Sequence, residues 1–110
     1  MAYRDTVVTD PHAAKLERLV DAVLDGEGAL DPAIRRAAAR GGEVPEALRG
    51  YLDKVARHAY KVTDDDVAAL RVAGYSEDQI FEATVGCALG ACLHRLDAGL
   101  QAIAGEQHAA

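Results

Sequence analysis

The sequence predicts an all-α fold, a compact bundle of about five helices in which the last is the longest. Three observations carry this. Apolar residues recur at spacings of three and four, and nothing reads as a ladder of alternating strands. Helix-start and helix-stop residues punctuate the chain at short intervals. Half of the 110 residues are apolar, yet only five are aromatic (Tyr3, Tyr51, Tyr60, Tyr75 and Phe81) and none is Trp. The core must therefore come from Ala, Leu, Val and Ile, which suits close helix packing. A chain of this length makes one domain with one core. The domain is read as 1–110, with an N-terminal arm over 1–9 and a frayed tail over 105–110.

The elements follow in order. Asp10-Pro11 is an N-cap acid followed by proline at the first helical position, and Leu16, Leu19, Val20, Val23 and Leu24 give the first helix one apolar face before Gly26. The same signal recurs at Asp31-Pro32 and opens a shorter helix through Ile34 and Ala37 that stops at Gly41-Gly42. Pro45 opens a third helix with an apolar face of Leu48, Tyr51, Leu52, Val55, Ala56 and Ala59. Its other side carries Arg49, Lys54, Arg57 and Lys61, a basic face expected to be solvated. Thr63 followed by three aspartates starts a fourth helix, through Val67, Leu70 and Val72 to a C-terminal glycine at Gly74. Ser76 with Gln79 forms a second capping box, and the last helix runs from Glu77 to about Ala104, on the order of 40 Å.

Composition narrows the function classes. The net charge is −6, from 18 acidic against 12 basic residues, with no Lys/Arg run. Such a chain lacks the electrostatic footprint of a phosphate-backbone binder, so no nucleic acid is expected as a partner. The longest nearly uncharged run, 83–93, is about half of the roughly 20 residues a membrane span needs, so no membrane is expected either. The first ten residues hold no apolar leader segment. Two cysteines without such a segment fit free thiols in a reducing cytoplasm, the expected location. No metal motif of the HExxH, Cys/His-cluster or EF-hand type is present, and no GxGxxG or P-loop, so neither metal nor cofactor is expected.

The last helix holds the chemistry-bearing candidates. At 100° per residue, Phe81, Val85, Leu89, Cys92, Leu93, Leu96, Leu100 and Ile103 form a broad bulky stripe. The opposite side carries Ile80, Ala83, Gly86, Cys87, Gly90, Ala91, His94 and Ala98, mostly small residues that let another helix approach closely. A helix apolar nearly all round is buried on both sides, and in so small a domain one side is expected to belong to a second copy. A homo-oligomer through the helix over 77–104 is the expected partnership. Cys87 and Cys92 lie about 140° and on the order of 8 Å apart, too far to pair while the helix is intact. Both read as packing residues. His94 shares the small-residue face with Cys87, roughly 10 Å along the axis, so a direct thiolate–imidazolium pair is not expected. Arg95 points elsewhere. Glu82 lies among Leu89, Leu93 and Leu100 by angle, either exposed at the helix start or desolvated with the raised pKa that acid–base work needs. His58, at the edge of the third helix's apolar face near Tyr51, is a further acid–base candidate.

From "YLDKVARHAYKVTDDDVAALRVAGYSEDQIFEATVGCALGACLHRLDAGL" a family pattern emerges. The chain resembles the C-terminal half of the carboxymuconolactone decarboxylase and alkylhydroperoxidase D-like superfamily over about residues 48–104. The matching positions are Val62, Thr63, Asp66, Val67 and Leu70; Ala73, Gly74, Ser76 and Ile80; and Arg95, Gly99 and Leu100, with His94 where relatives often have Asn. The resemblance implies an all-α fold that assembles into dimers, trimers or hexamers. Peroxidases of the family use a Glu, a CxxC and a His in the preceding half. This chain has no CxxC, so no residue of that type carries over. The decarboxylase branch needs no cofactor, and the resemblance assigns it no residue here.

The expected function is thus a non-redox, homo-oligomeric helical protein, a binding or accessory module holding a small apolar or acidic ligand near His94 and Cys87. The alternatives are a cofactor-free decarboxylase- or isomerase-like enzyme using His94, Glu82 or His58, and a residual thiol peroxidase activity through Cys87 or Cys92.

Overall fold

A computed structural model of the chain describes residues 13–109, and side chains over 14–105. The described residues are all-α. Helix α1 spans Ala13–Asp25, α2 Pro32–Arg40, α3 Glu46–Arg57, α4 Asp64–Val72 and α5 Glu77–Ala109, with a 3-10 turn over Ala59–Lys61. The start signal at Asp10-Pro11 and the arm over 1–9 lie outside the described residues.

Local chemistry sets the boundaries. The Asp31 carboxylate accepts the Ala33 N–H at 2.9 Å, Pro32 takes the first turn, and Gly41 ends α2 in the left-handed conformation at φ 70°. Thr63 Oγ1 accepts the Asp66 N–H at 3.3 Å while the Asp66 carboxylate accepts the Thr63 N–H at 2.9 Å, a complete capping box on α4. Ser76 and Gln79 do the same on α5, at 3.1 and 2.9 Å.

Several expectations change. Helix α3 leaves helical geometry at His58 (φ −144°, ψ 54°), so Ala59 and Lys61 fall in the 3-10 turn and are exposed instead of extending the two faces of α3. Lys54 is not merely solvated, because its ammonium donates to both Asp66 oxygens at 2.9 and 3.0 Å and ties α3 to α4. That bond, with the Thr63 N–H, holds the Asp66 carboxyl below its ordinary range. Val72 ends α4 pointing into water. The backbone of the last helix is helical through Ala109.

Helix α5, 33 residues and about 50 Å long, is the spine of the fold. It packs chiefly on α2, then on α3 and α1. The main core joins Leu48, Leu52, Leu70, Ile80, Ala83 and Cys87, and a smaller cluster joins Val20 and Leu24 of α1 to Leu93. The small-residue face of α5 is covered from within the chain. A Cβ at Gly90 would lie 2.6 Å from the Ala39 Cα, and one at Gly86 3.2 Å from the Arg35 carbonyl oxygen, so α2 sits directly on this face. The bulky stripe divides. Leu89, Leu93 and Leu100 pack on α1, whereas Phe81, Leu96 and Ile103 remain exposed.

Candidate functional site

The close approach of α2 to Gly90 leaves a groove beside it, of about 420 Å³, between α2, α3 and α5. Leu24, Ala38, Cys87 and Leu93 make an apolar floor, all buried, and Ala56 of α3 forms one wall. Arg40, His94, Arg95 and Asp97 surround the opening. The volume falls within the range of small-molecule sites, as does the pairing of an apolar floor with a few polar groups. The Arg95 guanidinium donates to the Ala56 carbonyl oxygen at 3.3 Å, holding it across the groove toward α3. Arg95 therefore joins the site, contrary to the expectation that it points elsewhere, because its long stem lets the head reach back over the helix. Neither Arg40 nor Arg95 takes part in an ion pair among the described residues. The Asp97 carboxylate accepts from Gln101 Nε2 at 3.0 Å.

Of the sequence candidates, His94 and Cys87 meet in this groove, His94 exposed at the rim and Cys87 buried in the floor. The Cys87 thiol donates to the Leu52 carbonyl oxygen at 3.4 Å. Burial, and then the Asp53 charge, push its pKa up, which is the wrong direction for a thiolate nucleophile. In a Cys92→Ser chain, Cys87 is expected to react with an aromatic disulfide reagent at least about a hundredfold more slowly than in urea. Comparable rates in the two conditions would contradict its packing role.

Glu82 and His58 are elsewhere. Glu82 lies twelve residues, about 18 Å of helix rise, from His94. Its carboxylate accepts the Ala29 N–H at 2.8 Å and the Leu30 N–H at 3.0 Å, with Arg35 Nε at 3.9 Å. These bonds, the Leu30 one first, lower its pKa, so the raised value considered from sequence is corrected: the carboxylate is a structural acceptor held ionised. His58 caps the end of α3, exposed, with its ring edge-on to Tyr60 at 6.0 Å. Neither Glu82 nor His58 is among the residues that line the groove with His94.

Sequence reading missed Arg35. It is the buried charged residue of the core, 3% exposed, and its guanidinium donates to the carbonyl oxygens of Leu30 (3.1 Å), Val23 (3.0 Å) and Gly26 (2.6 Å). Arg35 and Glu82 together satisfy the end of α1 and the turn into α2, and so fix the α2 wall of the groove. The available signal was position, since Arg35 falls between Ile34 and Ala38 on the inward side of α2.

Among the described residues no three of His, Cys, Asp or Glu are grouped to hold a metal ion, and no helix is long and apolar enough to cross a membrane. Compared with protein-family models, with curated proteins and with solved structures, the chain matches none of them.

Proposed function

We propose that this chain is a non-redox, small-ligand-binding helical module, and that its ligand is a small organic acid seated in the groove between α2, α3 and α5. The observation that carries this reading is the pairing of an apolar floor (Leu24, Ala38, Cys87, Leu93) with two guanidinium groups, Arg40 and Arg95, that make no ion pair among the described residues, beside His94. Burial of the ligand's hydrocarbon body supplies the affinity. Charge-assisted hydrogen bonds from guanidinium to carboxylate, roughly twice as strong as neutral ones, set the orientation. His94 adds a donor on the same rim. The resemblance of residues 48–104 to the carboxymuconolactone decarboxylase and alkylhydroperoxidase D-like superfamily supports the same reading, because it falls on the α3 and α5 walls of the groove. The non-redox reading is supported by the lack of a CxxC in the sequence and by Cys87 being buried with its thiol on the Leu52 carbonyl oxygen, while the exposed Cys92 does not line the groove.

Titration calorimetry with phenylacetate and hexanoate tests the proposal against the matching amides. The acids are expected to bind about tenfold more tightly than the amides, and Arg95→Gln and Arg40→Gln each to lose about tenfold. Absence of binding to the native chain, or binding indifferent to both substitutions, would overturn the reading.

A further inference from the structure

A second hollow, of about 210 Å³, adjoins the groove between the end of α2, the turn that follows it and α3. The two share Ala38, Gly41, Ala56 and Cys87, so no side chain at their junction is larger than a methyl or a thiol. A Cβ on Gly41 would meet nothing within 4 Å, so the junction is open on that side. On α3, Arg49, Leu52, Asp53 and Ala56 stand at i, i+3, i+4 and i+7 and make one lengthwise wall of the second hollow. Ala37, Val44 and the buried Leu52 keep its interior apolar. Charge gathers at the two ends. Arg40 and Arg95 stand at the first opening, and Arg49, Asp53 and Arg57 at the second. Arg57 Nε pairs with the Asp53 carboxylate at 3.2 Å, which leaves Arg49 as the excess cation. Arg49 is exposed and makes no ion pair among the described residues.

We propose that the two hollows form one channel, and that its ligand is an elongated aliphatic acid with a carboxylate at each end, about eight to ten carbons long. This names the class of ligand within the groove reading above and rests on it. One carboxylate meets Arg95 and Arg40, the methylene chain crosses the junction over Cys87, and the other carboxylate meets Arg49. A guanidinium holds a carboxylate through charge-assisted hydrogen bonds at either end, and the apolar middle shelters the chain from water.

The length follows from α3. Arg95 is fixed on the Ala56 carbonyl oxygen at 3.3 Å, and Ala56 lies seven residues, about 10 Å of helix rise, from Arg49. An extended methylene chain advances about 1.3 Å per bond, given C–C bonds of about 1.5 Å, so nonanedioate sets its two carboxyl carbons about 10 Å apart. Pentanedioate spans about half of that and reaches one end only. Nonanoate has the length but sets a methyl group among the charges of the second opening. Four arginines around one channel also stand out in a chain whose net charge is −6, and together they favour a ligand of two negative charges over one.

Titration calorimetry at neutral pH with a matched set of acids tests the channel. Nonanedioate is expected to bind about tenfold more tightly than either nonanoate or pentanedioate. Arg49→Gln, with circular dichroism unchanged, should remove the advantage over nonanoate, and Arg49→Lys should restore part of it. Ala37→Leu, which fills the second hollow from a position that does not line the first, should weaken nonanedioate by about tenfold. Both Arg49→Gln and Ala37→Leu should leave phenylacetate, short enough for the first hollow alone, bound as in the native chain. If phenylacetate binds through Arg95 while nonanedioate binds no better than nonanoate, or is indifferent to Arg49→Gln, the channel is overturned and the acid reading stands. If no acid binds, the acid reading falls and the channel falls with it.

Discussion

Replacing Arg35 with methionine is expected to destabilise the fold by about 3–5 kcal/mol, one of the two largest effects predicted here, as is typical when one partner of a buried charged network is removed. The side chain of methionine fills much of the stem's volume, so the loss isolates the head group. Three carbonyl oxygens, of Leu30, Val23 and Gly26, lose their donor at once. A buried acceptor left unpaired costs about 1–3 kcal/mol, and the three losses do not add fully because they share one site. Glu82 loses its cation but keeps the Ala29 and Leu30 N–H groups. Urea denaturation followed by circular dichroism measures the change, and a loss below about 1 kcal/mol would mean that water replaces the guanidinium without penalty. The same network fixes a pH dependence. The Glu82 carboxyl is held below its ordinary pKa when folded, so its stabilisation is fully present above the unfolded value, about 4.3. That stabilisation is lost as pH falls through the folded value. Glu82→Gln should therefore flatten the stability profile between about pH 5 and 3. An unchanged acid limb in that variant would contradict the assignment.

Gly90→Ala is expected to cost about 2–4 kcal/mol, more than most single-methyl insertions, because the group it strikes is backbone. The added Cβ would fall inside the Ala39 carbonyl and 2.6 Å from the Ala39 Cα. Neither can rotate away, so α2 must translate off α5 and open the seam along which it packs on the spine. The comparison is Gly50→Ala, on the exposed side of α3, where an added methyl meets nothing within 4 Å. There the same change should stabilise by about 0.5–1 kcal/mol through helix propensity alone. Melting curves of both variants give the test, and a Gly90→Ala variant as stable as Gly50→Ala would mean that α2 does not approach α5 as closely as described.

What was legible in the sequence was local. Asp31-Pro32, the Thr63–Asp66 and Ser76–Gln79 boxes, and Gly41 and Gly74 are interactions within a few residues, and the described elements begin and end on them. The two faces of α5 were legible as periodicity, but their neighbours were not. The small-residue face receives α2 of the same chain, and part of the bulky stripe is the side left open. Nothing in a helical period says which of two apolar faces the rest of the chain will cover. Glu82 stood out by angle, yet its role depends on N–H groups more than fifty positions away, on a turn whose shape Arg35 fixes. His94 and Cys87 were placed on one face correctly. The arginine rim was missed because Arg40 sits at the end of another helix and Arg95 reaches the groove through its stem.

The central claim, that the groove beneath His94 takes a small organic acid, is tested most directly by amide nitrogen–proton correlation spectra recorded during titration with phenylacetate. Saturable shifts are expected at Gly41, Gly90, Ala91 and His94, with the amides around Gly28 and Tyr75 still. Shifts confined to the outward stripe near Phe81 and Leu96, or no saturable shift at all, would contradict it.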